Sequence, residues 1–149
     1  MIHKLKKHER KQFEKMLLNY YKEHSKKYSV NALPEKQVKS EAKAVEQNKL
    51  TAYVYEQDGK LTAFVTGRVM KAEAYAQKKD IAYIISLYVK PKYRGKGIVT
   101  KLIQKITKEF LKQVDEIRID VFTSNAPAKK LYEKQGFKTI KQTMQLKKE

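Results

Sequence analysis

Val89-Lys90-Pro91-Lys92-Tyr93-Arg94-Gly95-Lys96-Gly97-Ile98-Val99-Thr100 joins a strand pattern to a helix pattern through a basic loop that holds two glycines. Upstream, Ile81 to Val89 runs almost continuously apolar, broken by Ser86, as expected of a central strand covered on both faces. Pro91 ends it. Downstream, Val99, Leu102, Ile103, Ile106 and Phe110 share one face of a helix predicted from about Gly97 to Leu111. The first N–H groups of such a helix have no partner within it, and the helix dipole favours an anion there. Glycine lets a ligand approach the backbone closely, and Lys92, Arg94, Lys96 and Lys101 add positive charge. The segment reads as a phosphate-binding loop. Its spacing is neither G-x-x-x-x-G-K-[ST] nor G-x-G-x-x-G.

The rest of the chain arranges itself around this unit. A helical pattern runs from about Lys7 to Tyr28, with Phe13, Met16, Leu17, Tyr20 and Tyr21 at helical spacing. A weaker one follows Pro34, carried by Val38, Ala42 and Val45. Two strand-like runs, Thr51–Gln57 and Lys60–Val69, flank Asp58-Gly59, a hairpin turn that needs positive φ at both positions. After the central helix come a strand at Ile117–Phe122 and a helix from about Ala126 to Gln135, ended by Gly136. A last strand is expected over Phe137–Leu146. The order is two helices, three strands, helix, strand, helix, strand: an α/β chain, residues 1–149 forming one domain.

Composition narrows the chemistry. The 149 residues are 41% apolar and 34% charged, a globular balance. A domain of this size buries about 68–70% of its unfolded surface and needs no staples. There is no cysteine, so disulfide frameworks, thiolate nucleophiles and Cys-ligated metals are excluded. His3, His8 and His24 all fall in the first 24 residues, and neither a His-based triad nor a metal site is expected. No stretch is long enough to span a membrane and no signal-peptide core follows the basic N-terminus, so the expected location is cytoplasmic. Lys+Arg 34 against Asp+Glu 16 gives +18. Only Arg10, Arg68, Arg94 and Arg118 are arginines, so thirty of the 34 are lysine. Base and phosphate recognition leans on the arginine fork, and nucleic acid is therefore not the expected partner.

Arg94-Gly95-Lys96-Gly97-Ile98-Val99 resembles the R/Q-x-x-G-x-G/A signature of the GNAT superfamily of N-acetyltransferases. Val99 stands where that family usually carries Gly or Ala, which brings a branched side chain close to the expected phosphates and leaves its amide available. A second stretch, Asn125-Ala126-Pro127-Ala128 leading to Leu131-Tyr132 and Gly136-Phe137, resembles the family's second signature. From its residues alone, Asn125 is a helix cap with Pro127 in the first turn. The resemblance implies a mixed, mostly antiparallel twisted sheet with a central splayed strand pair and flanking helices. It implies acetyl-CoA as cosubstrate, held by Leu87, Tyr88, Val89, Arg94, Gly95, Lys96, Gly97, Ile98, Val99, Thr100 and Asn125. It also implies Tyr132 as the acid that protonates the departing thiolate, a role worth about 10²–10⁴-fold.

The resemblance implies acetyl transfer to a primary amine but names no acceptor. Similar enzymes often carry an acidic base on the central strand, and Ile81–Val89 has none; Glu73, Asp80 and Asp120 lie nearby in sequence without an assignable role. In this fold the first two helices usually shape the acceptor site, and here they carry Tyr20, Tyr21 and Tyr28. Two other readings compete: a nucleic-acid-binding module, from the charge, and a non-catalytic acyl-CoA sensor, from Val99 and the missing base. Beyond Phe137 there is one strand pattern where the family usually has two. That edge of the sheet is expected to be open or completed by a second copy, as a homodimer.

Overall fold

A computed structural model describes residues 1–28, 33–71 and 79–149. The elements in order are β1 (Ile2–Lys4), α1 (Arg10–Tyr28), α2 (Pro34–Glu46), β2 (Thr51–Gln57), β3 (Lys60–Lys71), β4 (Asp80–Val89), α3 (Ile98–Phe110), β5 (Ile117–Ile119) and α4 (Ala126–Lys134). One sheet runs β1-β2-β3-β4-β5, antiparallel throughout except for the parallel pair β4–β5. Asp58 (φ 52) and Gly59 (φ 74) make the β2–β3 hairpin with the positive φ expected of them.

The period-2 pattern of the strands divides the core into two layers. On one face Tyr53, Ala63, Val65, Ala82, Ile84 and Val89 pack against Ile98, Leu102, Ile106 and Phe110 of α3. On the other, Ala52, Val54, Phe64 and Tyr88 meet Phe13, Met16 and Leu17 of α1. Phe13 and Phe64 touch edge to face at 5.1 Å. Each fully buried side chain of this size contributes about 1.5–3 kcal/mol. The central strand β4 is thus covered on both faces, as its nearly continuous apolar run led one to expect.

Several expectations are corrected. β1 is an additional strand, too short to read from three residues. It is pinned where His3 Nε2 lies 2.8 Å from Glu9 Oε1 and the Lys6 N–H donates to Glu9 Oε2. Burial raises the Glu9 pKa, but those partners outweigh it and hold the carboxyl below its ordinary value. The strand expected at Ile117–Phe122 pairs only through Ile119, because β4 turns away there. The strand expected over Phe137–Leu146 is absent: these residues have no regular structure, and all but Phe137 are exposed. The first helical pattern also begins as a 3-10 turn, Lys7–Glu9, before α1.

The separation of β4 from β5 has a local cause. Thr66 pairs with Ser86 and Gly67 pairs with Ile84, which leaves Ile85 as an extra residue on β4. Such a bulge bends a strand and reverses the facing of the residues after it. Ala82 and Ile84 point to α3, but Ser86 joins Tyr88 on the side of α1 and α2. Parallel pairing with β5 ends at Ile84↔Ile119, next to the bulge. The sheet opens from there, which is the splayed pair that the family resemblance implies.

A candidate acetyl-transfer cleft

The opening between β4 and the chain after β5 is a cleft of about 300 Å³. Residues 83–87 form one wall and residues 119–122 the other; Tyr20, His24 and Tyr28 of α1 approach from one side, Asn125 and Tyr132 from the other.

Beyond the cleft lies the glycine loop. Gly97 has φ 78 and caps α3, and Gly95 has φ 77. A Cβ on either would meet nothing within 4 Å, so the backbone faces open space. The first bond of the helix is donated by Lys101 N–H to the Gly97 carbonyl, so the amides of Ile98, Val99 and Thr100 have no acceptor within it. These three donors, the dipole and the neighbouring lysines fit a pyrophosphate. Ile98 is buried and offers only its amide. The partly buried Val99 side chain packs against the α3 layer of the core. Lys96 lies over the Tyr93 ring at 5.7 Å. Arg94 has structural partners: its Nε donates to the Val89 carbonyl at 2.8 Å and its guanidinium reaches Glu23 at 2.9 Å. It ties the loop to β4 and α1.

On the central strand, Leu87 lines the cleft, while Tyr88 turns its ring to α1. From Ile85 to Val89 the edge of β4 that faces away from β3 has no strand beside it among the described residues. Such an edge offers main-chain groups to an extended ligand. The Asn125 side chain accepts from Ala128 N–H at 3.4 Å, the capping role read from the sequence, and its NH₂ remains for a ligand. Tyr132 stands against Phe137 at 6.1 Å. Burial, then Tyr28, raises its pKa and keeps the hydroxyl protonated at neutral pH.

Two features of the cleft escape a reading of the sequence. His24 is stacked on Tyr20 at 5.5 Å, with Tyr28 at 4.9 Å and Phe122 at 5.3 Å. Burial pushes its pKa down, so the imidazole is neutral at physiological pH. The signal is present as an i, i+4, i+8 aromatic stripe, Tyr20-His24-Tyr28, on one face of α1. Under the cleft floor lies Glu41 of α2, 5% exposed. It accepts from the Tyr21 hydroxyl, from Thr66 Oγ1 at 3.0 Å and from Ser86 Oγ at 2.5 Å. Of the acids close to the central strand in sequence, Asp120 lines the cleft, Asp80 sits at the far end of β4, and Glu73 lies outside the described residues.

The fold, the glycine loop and the cleft together define an acyl-CoA-type transferase scaffold. The model of the acetyltransferase (GNAT) family matches residues 5–137, and the chain belongs to that family. An N-alpha-acetyltransferase of Sulfurisphaera tokodaii is 34% identical over 98 residues, 60% of this chain and 57% of that protein. A mutant protein from Bacillus halodurans superposes with a TM-score of 0.80 at 23% identity, covering 99% of this chain and 98% of its own. The aminoglycoside acetyltransferase AAC(6′)-Iy, solved with the bisubstrate analogue CoA-S-monomethyl-acetylneamine, gives 0.80 at 14% identity over 100% and 97%. Members of the family use acetyl-CoA as cosubstrate. Among the described residues no helix is long and apolar enough to cross a membrane.

Proposed function

We propose that this chain transfers the acetyl group of acetyl-CoA to a primary amine, and that the amine is the α-amino group of a polypeptide. The observation that carries the reading is the cleft itself, where an unpaired strand edge, a half-buried tyrosine and a neutral histidine converge. The amides of Ile98, Val99 and Thr100, with Lys92, Lys96 and Lys101, hold the pyrophosphate. The β4 edge over Leu87, Tyr88 and Val89 binds the pantetheine arm, with Asn125 opposite.

The amine nitrogen attacks the thioester carbonyl, whose oxygen is polarised by a main-chain N–H near Tyr88 or Val89. The nitrogen loses a proton to His24, the carbon–sulfur bond breaks, and Tyr132 gives its proton to the sulfur. Both side chains then return to their starting states through solvent.

The acceptor class follows from proton availability. At pH 7 about one α-amine in seven is neutral, against about one lysine ε-amine in 2,500. A histidine of lowered basicity suits the first and not the second. The similarity to an N-alpha-acetyltransferase points the same way. Mass spectrometry of peptides that carry both amine types, after incubation with acetyl-CoA, tests the reading. Acetylation at the N-terminus supports it, and modification confined to lysine refutes the acceptor assignment.

A further inference from the structure

Where the sheet begins to open, a side chain enters its ladder. Thr66 pairs with Ser86 and Gly67 with Ile84, so β3 and β4 slip by one residue at Thr66. At that step the Ser86 N–H donates to Thr66 Oγ1 at 3.2 Å. The same oxygen donates to Glu41 Oε2 at 3.0 Å and lies 2.6 Å from Ser86 Oγ, which itself donates to Glu41 Oε2 at 2.5 Å. The second carboxylate oxygen of Glu41 accepts from the Tyr21 hydroxyl. Thr66, Ser86 and Glu41 are 0%, 2% and 5% exposed, so solvent does not compete for these bonds.

Polar groups this deep add little net stability over apolar side chains of the same shape. What they add is direction. Here they fix the slip between β3 and β4 and tie it to Tyr21 of α1 and Glu41 of α2.

The strand that follows the bulge faces the ligand. Lys90 N–H donates to the Thr62 carbonyl of β3 at 2.9 Å, so by alternation the N–H groups of Leu87 and Val89 point to the open edge. Ser86 is held by both its N–H and its hydroxyl, which fixes the peptide that carries the Leu87 N–H. A main-chain donor polarises a carbonyl only when aimed at the place where charge develops on the oxygen.

We propose that Thr66 is a positioning residue for the transfer: its hydroxyl, oriented by Glu41, sets the aim of the β4 edge N–H groups at the thioester oxygen. This rests on the acetyl-transfer reading above. Thr66 is fully buried and acts through Ser86, which lines the cleft.

Thr66→Val keeps the shape and removes the hydroxyl, and Thr66→Ser restores it. Difference infrared spectra of acetyl-CoA, isotopically labelled at the thioester carbonyl and bound to each protein, read the polarisation without an acceptor. The wild type and Thr66→Ser should lower the carbonyl frequency on binding, and Thr66→Val should leave it near its free value. Turnover of Thr66→Val on a peptide α-amine should fall by about 10²-fold, with affinity for CoA, which lacks the carbonyl, within a few-fold of wild type. A Thr66→Val protein with the wild-type band and turnover overturns the proposal alone. So does one that loses affinity for CoA and acetyl-CoA alike, because the hydroxyl then merely supports the strand. If the wild type itself leaves the carbonyl unshifted, the acetyl-transfer reading fails and the role of Thr66 falls with it.

Discussion

Tyr28 stacks on Phe122 with 4.1 Å between ring centroids and 11° between planes, joining the end of α1 to the segment that leaves β5. Both rings line the cleft, so this contact spans the side on which the proposed acceptor enters. Phe122→Ala should lower stability by about 1 kcal/mol through the lost ring pair. Its main effect should fall on the acceptor, as a raised KM for the amine with acetyl-CoA affinity changed little. Steady-state kinetics with each substrate varied in turn checks this.

Tyr132→Phe keeps the ring against Phe137 and removes the proton donor. Turnover should fall by about 10²–10⁴-fold, with acetyl-CoA affinity within a few-fold of wild type. If turnover is unaffected, Tyr132 has no part in expelling the thiolate.

His24 gives the reaction a pH dependence of known sign. Burial holds its pKa below the ordinary 6.5, so the base is ready at neutral pH and is lost as pH falls through the folded-state value. The acidic limb of kcat should therefore lie below pH 6.5 and vanish in His24→Gln, which should also be slower throughout. Stability follows the same direction. The folded protein resists protonating His24, so its contribution is complete above the unfolded pKa and declines as pH drops through the folded one. A pH series of thermal melts on wild type and variant isolates it.

Glu41 is the shared acceptor of three hydroxyls beneath the cleft. Glu41→Ala removes the acceptor of all three hydroxyls, leaves Thr66 Oγ1 and Ser86 Oγ only each other at 2.6 Å, and should cost about 3 kcal/mol by denaturant unfolding. Because Ser86 adjoins the bulged Ile85, the same variant should also weaken substrate binding. Loss of stability with intact kinetics would separate the network from the cleft.

Much of this fold is legible along the chain because its signals are local. The nearly continuous apolar run of β4, the Asp58-Gly59 turn and the Gly95/Gly97 loop each specify their conformation over a few residues. The features that escape such a reading are tertiary. Whether residues 139–146 find a partner depends on what lies beside them, and alternation says nothing of that. The bulge at Ile85 arises from pairing with β3, so the facing of Ser86 toward Glu41, 45 positions away, has no local signal. His24 escapes because the stripe Tyr20-His24-Tyr28 marks a helix face and not what that face meets. Its meaning comes from Phe122 and Tyr132, which only folding brings near it.

The helix amides of α3 are the centre of the proposed chemistry, and calorimetric titration of acetyl-CoA into wild type and Gly97→Val tests their role most directly. The variant forces a branched residue to φ 78 and sets its side chain beside the donors, in space that is open in the wild type. Saturable one-site binding by the wild type that persists at moderate salt, and is abolished in a still-folded variant, is the predicted result. Equal affinity in the two proteins, or heat that follows ionic strength alone, would contradict it.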